Sequence, residues 1–196
     1  VLIGEISLED TILHSKESFF DISPANQDLA GAEIDLVGIE NREYMLKNAI
    51  EALKQNYDYI LIDCPPTLNL LTVNALVAAK AVLIPMQCEY YALEGLSDLV
   101  NTIKRVKKHL NPHIEIEGLL RTLFDRRNTL GKQVSDQLSA HFGDKVYSTI
   151  IPRNVRLAEA PSHGKPALFY DKSSKGAKAY LDLADEILKR NKNGNK

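Results

Sequence analysis

The chain has 196 residues, of which 44% are hydrophobic and 26% are charged. This composition is typical of a soluble globular protein, and the length suffices for one ordinary domain with its own core. The 24 Lys and Arg residues nearly balance the 26 Asp and Glu residues and leave a formal net charge of −2. A global basic field for nucleic acid is therefore excluded, and any contact with DNA has to come from a local patch.

Cysteine spacing and apolar runs exclude further classes of protein. Cys64 and Cys88 lie outside any C-x-x-C pattern, which argues against a disulfide framework or a zinc module and favours a reducing cytoplasm. The most apolar stretch, residues 68–86, is interrupted by polar residues and predicts no membrane-spanning helix. The first residue is Val1, with no secretory signal after it, so we expect the chain to begin partway through a larger protein.

Short apolar runs alternate with longer amphipathic segments, which is typical of β-strands joined by crossover helices in a mainly parallel sheet. In chain order, the pattern predicts a helix over residues 46–53, strands over residues 57–62 and 81–84, a helix over residues 93–110, a strand over residues 114–124, a helix over residues 130–138, a strand over residues 145–151 and a C-terminal helix over residues 177–188. The residues from Arg190 onward are polar and basic, and we expect them to be frayed. No internal repeat or linker divides the chain, so one domain is expected.

The clearest predicted strand covers residues 57–62. Apart from Asp58, it is an apolar run of the kind that is buried on both faces of a parallel sheet, and a pair of prolines follows it closely. Two later strands stop in the same way, at Pro85 and Pro152, because proline cannot continue the hydrogen-bond ladder. The elements together predict an α/β fold.

Asp63 is the leading candidate for chemistry. It follows the strand over residues 57–62, and ligands of open α/β sheets bind at the carboxyl edge of the strands. A carboxylate buried there is costly unless it serves a purpose, and it commonly holds Mg²⁺ through water beside a nucleotide phosphate. Pro65 and Pro66 would form a stiff loop that senses the bound group. The alternative is a plain strand-end cap or turn.

A polar segment follows the last predicted strand, and it is a candidate for binding a nucleobase. Pro152 offers a flat apolar face, and the Asn154 amide can both donate and accept hydrogen bonds, which suits an adenine edge. A turn with solvated arginines is the alternative.

Two groups of basic residues lie near strand ends. They are Arg121, Arg126, Arg127 and Lys132 near one strand end and Arg153 and Arg156 near another. Because parallel strands bring their carboxyl ends to one edge, the two groups could form one basic surface that binds phosphates in a salt-dependent way. Ordinary solvated charge is the simpler explanation of the residues taken alone.

Known phosphate-binding and catalytic patterns are missing from the sequence. It contains no G-x-S-x-G, H-E-x-x-H or G-x-G-x-x-G. The P-loop pattern G-x-x-x-x-G-K-[ST] is also absent, because the two Gly-Lys pairs, at Gly131 and Gly164, are followed by Gln133 and Pro166.

Four segments resemble the bacterial ParA/Soj chromosome-partitioning ATPases. They are residues 57–66 (YDYILIDCPP), 70–76 (LLTVNAL), 87–96 (QCEYYALEGL) and 151–166 (IPRNVRLAEAPSHGKP). The likeness extends from about Pro24 to the final helix, and long motifs in the right order make it specific. It implies an α/β, P-loop NTPase-like fold with a mainly parallel sheet flanked by helices. Residues 1–196 would form the C-terminal portion of a single ParA-type ATPase domain.

The resemblance also implies an activity and partners. Such proteins bind ATP and Mg²⁺, form a homodimer with ATP between the subunits, and bind DNA non-specifically as that dimer. A ParB/Spo0J-type centromere-binding protein stimulates hydrolysis, which returns them to the monomer. The resemblance therefore implies a cytoplasmic, nucleoid-associated protein without membrane attachment, which serves chromosome or plasmid partitioning.

The resemblance assigns roles to individual residues. Asp63 matches the Walker B aspartate, which acts in catalysis and holds Mg²⁺ through water. The nucleotide-binding loop beside adenine is matched by Pro152, Arg153 and Asn154. The arginines that bind DNA are matched by Arg127 and Arg156. The P-loop lysines, the Ser/Thr ligand of Mg²⁺ and the aspartate that positions water have no counterpart. We therefore expect ATP hydrolysis in the parent protein and none by these residues alone.

Two alternatives are relatives of this family, and a third comes from another class of protein. A MinD-like relative would bind membrane through an amphipathic C-terminal helix, but no apolar face continues beyond Leu188. An iron–sulfur relative similar to nitrogenase reductase would need a second ligand near Cys64 or Cys88, and the sequence offers none there. A naturally shortened, non-catalytic DNA-binding or interaction module fits the same residues.

Overall fold

A computed structural model describes residues 1–15, 20–54, 57–65 and 67–194, apart from the side chains of residues 193 and 194. The chain divides into two compact units. The first unit comprises Val1–Val82 and Asn101–Glu115, and the second comprises Leu83–Val100 and Ile116–Lys196. Among the helices in the described ranges, none combines the length and the apolar character needed to cross a bilayer.

The first unit contains a short strand pair and several helices. Strands β1 (Leu13–His14) and β2 (Asp21–Ile22) pair antiparallel. Helices α1, α2 and α3 span Ala32–Leu36, Met45–Glu51 and Leu70–Ala78. Helix α2 confirms the helix predicted over residues 46–53, whereas the strand pair, α1 and α3 are not among the predicted elements.

Asn74, in the middle of α3, fixes the packing of this unit's helices. Its side chain is fully buried, and its amide oxygen accepts a hydrogen bond from the backbone N–H of Leu46 at 3.1 Å. Its Nδ2 donates to the carbonyl oxygens of Arg42 at 2.8 Å and Leu70 at 3.1 Å. Because a buried amide must find such partners, Asn74 holds the start of α2 against α3.

The strand predicted over residues 57–62 is wrong for this structure. Residues 57–65 form no strand with the described part of the chain, and Leu61 is 92% exposed. A strand is stable only when it pairs with a neighbouring strand. An apolar run indicates strand propensity, but it does not determine whether a partner strand lies beside it. The second proline of the pair, Pro66, lies outside the described residues.

A three-stranded sheet lies mainly in the second unit. Its strands β3 (Ala81–Gln87), β4 (Glu115–Phe124) and β5 (Val146–Pro152) follow the order β3-β4-β5. Strands β4 and β5 run parallel, with Leu119 opposite Val146. Helix α4 (Ala92–His109) joins β3 to β4, and α5 (Thr129–Phe142) joins β4 to β5. These elements confirm the predicted α/β fold with crossover helices.

The predicted end of β3 at Pro85 is wrong, because the strand continues through this proline to Gln87. Strand β3 lies at an edge of the described sheet, and edge strands accept proline because one of their sides has no ladder partner. Pro152 is likewise the last residue of β5 rather than the first residue beyond it.

Three further helices follow β5. They are α6 (Val155–Glu159), α7 (Ala167–Tyr170) and α8 (Lys175–Gly194). The expectation of a frayed tail from Arg190 is wrong as far as Gly194, because α8 reaches that residue. The Arg190 guanidinium donates to the carbonyl oxygens of Asp144 and Val146 and lies 4.2 Å from the centre of the Tyr147 ring. The end of the helix is thereby fastened to the start of β5.

The core of the second unit lies between the sheet and α8. It contains Leu120, Tyr147, Ile151, Ala179 and Leu183. Gly118 makes room for the Tyr147 ring, because a Cβ at this position would lie 2.6 Å from the ring and 2.7 Å from the carbonyl oxygen of Lys145.

Candidate functional site

The carboxyl ends of the strands in the second unit surround a cavity of about 310 Å³. Its lining residues are Gln87, Cys88, Glu89, Leu123, Phe124, Asp125, Asn128, Gly131 and Arg153. They come from the ends of all three strands and from the start of α5. This is the edge of an α/β sheet at which ligands bind.

A strained bulge lies at the wall of this cavity. Arg121 is opposite Ile150 and Phe124 is opposite Pro152, so β4 carries one more residue than β5 over this stretch. Leu123 adopts a φ of 49°, which a leucine rarely does. Such strain concentrates at functional sites. Sequence reasoning missed this feature, since a leucine gives no signal for a left-handed conformation.

The predicted nucleotide-binding loop begins at the bulge. The backbone N–H of Arg153 donates to the carbonyl oxygen of Phe124 at 3.2 Å and joins the two strand ends. The Asn154 Oδ1 accepts from the backbone N–H of Arg156 at 2.9 Å and caps α6. The amide is therefore only partly free, and its Nδ2 donates to no protein group within the described residues.

Arg127, which is predicted to bind DNA, lies on the surface and forms an ion pair with the carboxylate of Asp125. Its side chain is 90% exposed, and its Nη2 and Nε donate to the two carboxylate oxygens of Asp125 at 2.8 and 3.1 Å. The backbone N–H of Arg127 adds a third bond to Asp125 at 2.9 Å. These bonds from Arg127 lower the pKa of the Asp125 carboxyl to about 2.

Arg156, the second arginine predicted to bind DNA, joins several elements. Its Nη1 donates to Glu159 at 2.7 Å and its Nε lies 3.5 Å from a carboxylate oxygen of Asp171. The Tyr170 hydroxyl donates to the same oxygen of Glu159, and the His163 ring stacks on the Tyr170 ring at 4.8 Å. Arg156 therefore fastens α6 to the end of α7, in addition to any contact with a ligand.

Arg121 does not belong to the basic surface on which it was predicted. Its guanidinium donates to the Ser135 hydroxyl at 2.9 Å and to the carbonyl oxygen of Tyr147 at 2.7 Å. Its Nε is buried and has no hydrogen-bond partner among the described residues. The side chain joins α5 to the sheet instead of facing a ligand. The remaining arginines of the two groups follow β4 and β5, whose ends are neighbours.

Asp63 lies in the first unit and is exposed, so the expectation of a buried carboxylate at a strand end is wrong. Within the described residues, no cluster of three or more His, Cys, Asp or Glu side chains could hold a metal ion. A single accessible carboxylate fits Mg²⁺, which keeps several waters and binds through one or two carboxylates and nucleotide phosphates. The donor set therefore fits a magnesium–nucleotide complex and not a protein cage for a bare ion.

Comparisons with known proteins identify the family. The family described as "AAA domain" matches residues 1–116. The sporulation initiation inhibitor protein Soj of Bacillus subtilis is 57% identical over 187 residues, which are 95% of this chain and 74% of that protein. The chromosome partitioning protein ParA of Caulobacter vibrioides is 52% identical over 192 residues, covering 97% of this chain and 72% of that protein.

A solved structure agrees with the sequence relatives. Cobyrinic acid a,c-diamide synthase from Mycobacterium smegmatis, with bound ATP analog and magnesium, superposes with a TM-score of 0.82. It is 36% identical and matches 99% of this chain and 72% of that chain. These likenesses confirm the predicted fold and the resemblance carried by the four motifs. The chain belongs to the ParA/Soj family of chromosome-partitioning ATPases.

Proposed function

We propose that this chain forms the C-terminal portion of a single ATPase domain that binds ATP and Mg²⁺ and serves chromosome or plasmid partitioning. The observation that carries the proposal is the pairing of Phe124 with Pro152 at the sheet edge. It brings the loop after β4, which carries Arg127, beside the loop after β5, which carries Asn154. A nucleotide and a polyanion would thus be bound by neighbouring loops at one edge of the sheet.

Pro152, Arg153 and Asn154 would hold the adenosine part of the nucleotide. Pro152 offers an apolar ring face, and Arg153 lines the cavity at this edge. Since the Asn154 Oδ1 already caps α6, its Nδ2 would donate to an acceptor nitrogen of the base. The cap fixes the amide before the nucleotide arrives, which reduces the entropy lost on binding.

Asp63 would hold Mg²⁺ through water and act in catalysis as the Walker B aspartate. The bound magnesium supplies neutralisation of charge on the nucleotide phosphates. Hydrolysis would also need the phosphate-clamping lysines of a P-loop, and the 196 residues contain no such pattern. We therefore propose that the protein expressed from its complete reading frame hydrolyses ATP and that these residues alone do not.

Arg127 and Arg156 would bind the phosphates of non-specific DNA from an ATP-bound homodimer. Both follow strands that end at the same edge, and both are more than half exposed. A ParB/Spo0J-type protein would stimulate hydrolysis and release. The setting would be the cytoplasm, at the nucleoid, without attachment to membrane.

Retention on DNA tests this function. In the protein from the complete reading frame, Arg127→Ala with Arg156→Ala should abolish ATP-dependent retention on random-sequence duplex DNA and leave ATP binding intact. Lys104→Ala with Arg105→Ala removes the same two positive charges from exposed positions of α4 and serves as the matched control. Unchanged retention of the double variant would contradict the assignment of the two arginines.

A further inference from the structure

Asp125 has no role in the proposed function, yet it pairs with Arg127, whose side chain is 90% exposed. Within the described part of the chain, all three hydrogen bonds to its carboxylate come from Arg127, and two of them form the paired geometry of a guanidinium fork on a carboxylate. Among the described residues, Arg127 has no other ion-pair partner. Its positive charge is therefore neutralised locally by one side chain, two residues earlier in the chain.

We propose that Asp125 is a charge mask for Arg127, which competes with the phosphates of a polyanion for the same guanidinium fork. A phosphate offers two oxygens in the geometry that a carboxylate offers, so the two groups cannot occupy Nε and Nη2 together. The inference rests on the proposed binding of nucleic acid through Arg127. It adds a residue that weakens this binding and makes it reversible.

A second cation makes the exchange feasible. The charge of Arg153 also acts on the Asp125 carboxylate and helps to keep it ionised. When a phosphate takes the fork of Arg127, the carboxylate is thus left beside another cation rather than uncompensated. Both Asp125 and Arg153 line the cavity at the sheet edge.

The carboxylates around Arg156 differ from Asp125, because they also hold other parts of the structure in place. Glu159 also accepts a hydrogen bond from Tyr170, and Asp171 accepts bonds from the backbone and hydroxyl of Ser173. Their displacement would disturb contacts that join α6 and α7. Among the residues that the structure describes, the Asp125 carboxylate bonds only within its own loop, so its release from Arg127 disturbs none of the packing described between elements.

The expected change in DNA affinity follows from the interaction energy of an exposed ion pair. Such a pair contributes at most about a fivefold factor to an equilibrium, because water screens it. Replacing Asp125 by Asn keeps the size of the side chain and removes the charge. We expect Asp125→Asn to tighten binding of a short random duplex DNA by about two- to fivefold at low salt, with a smaller gain at high salt.

A double-mutant cycle tests the proposal in the protein from the complete reading frame, with ATP present. The variants are Asp125→Asn, Arg127→Ala, both together, and Asp136→Asn as control. Asp136 is an exposed carboxylate of α5 with no arginine contact in the described structure. A mask predicts that Asp125→Asn tightens binding, that Asp136→Asn has a clearly smaller effect, and that the gain disappears in the Arg127→Ala background.

Several results would overturn the mask. They are weaker or unchanged binding by Asp125→Asn, a gain that persists without Arg127, and an equal gain from Asp136→Asn. If Arg127→Ala itself binds DNA as tightly as the wild-type protein, the proposed DNA contact of Arg127 fails, and the mask fails with it. Asp125→Ser retains a short acceptor for the backbone N–H of Arg127 and replaces Asp125→Asn if that variant does not fold.

Discussion

Glu186 of α8 stabilises the edge strand that carries the proposed nucleotide loop. Its carboxylate accepts hydrogen bonds from the backbone N–H groups of Ser148 and Thr149, each at 2.8 Å, and from Arg190 at 2.8 Å. The side chain is only 17% exposed. Glutamine in its place offers one oxygen, so Glu186→Gln leaves at least one strand N–H without its acceptor.

Two routes give the cost of this substitution. Burial alone would raise the pKa of Glu186, but the bonds from Ser148, Thr149 and Arg190 prevail and lower it from 4.5 to about 2. A shift of this size corresponds to about 3 kcal/mol in favour of the ionised, folded state. Loss of a hydrogen bond to a charged group costs about 1.5–3 kcal/mol. We therefore expect Glu186→Gln to lower the free energy of unfolding by about 3 kcal/mol at pH 7.

The pH dependence has a defined sign. The pKa of Glu186 is lower in the folded state, so its contribution is fully present above pH 4.5 and is lost as the pH falls toward 2. The free energies of unfolding in urea of the wild-type protein and of Glu186→Gln should therefore differ at pH 7 and become equal in acid. Exchange of the Ser148 and Thr149 amide hydrogens should become faster in the variant.

Asp185→Asn is the matched control, since this neighbouring carboxylate is exposed on α8. It should change the free energy of unfolding by less than about 0.5 kcal/mol. Equal and small effects of the two substitutions at pH 7 would refute the role assigned to Glu186.

Three further pairs of substitutions have defined outcomes, the second of each pair serving as the comparison. Asn154→Ser keeps the cap of α6 but loses the amide donors, so nucleotide affinity should fall about tenfold with little change in stability. Asn154→Ala loses the cap as well, so thermal unfolding should show an additional loss of about 1 kcal/mol of stability. Gly118→Ala forces a methyl group against the Tyr147 ring and should cost at least about 2 kcal/mol in urea unfolding, while Gly95→Ala, in open space on α4, should be neutral or stabilising. Leu123→Gly relieves a left-handed φ and should change the free energy of unfolding by less than about 1 kcal/mol, whereas Leu120→Gly, in the core, should cost more than about 3 kcal/mol.

The sequence predicts those elements whose pattern depends on a single buried face. Helix α4 has apolar residues at steps of three and four with lysines on the other side, and the structure places it over Ala92–His109. Strand β4 is also predicted to within one residue, since the prediction over residues 114–124 compares with Glu115–Phe124 in the structure, and no proline interrupts it. For such elements, the local pattern and the tertiary environment agree.

The errors arise where structure depends on a neighbour that the sequence does not specify. Residues 57–62 have strand propensity but no pairing strand among the described residues, and Pro85 is tolerated because β3 lies at an edge. Arg121 resembles a surface arginine in sequence, yet it bonds to Ser135 and to the backbone of β5. Each outcome is decided by which element lies beside the residue.

The candidate site is likewise predictable from the sequence only in part. The motifs identify the loop of Pro152 to Asn154 and the arginines after the strands, but they do not reveal the bulge at Leu123 or the bonds from Arg127 to Asp125. A left-handed leucine and a carboxylate two residues from an arginine have no distinctive sequence pattern. Only the paired strand ends show that these features border one cavity.

Photolabelling with 8-azido-ATP tests most directly whether the nucleotide binds at this edge of the sheet. The protein from its complete reading frame would be irradiated with the probe and Mg²⁺ and digested, and the labelled peptides would be sequenced. If the nucleotide binds at this edge, labelling that excess ATP prevents will fall within residues 122–128 or 152–156. Labelling that ATP prevents but that falls only on peptides outside both segments would show that the nucleotide binds elsewhere.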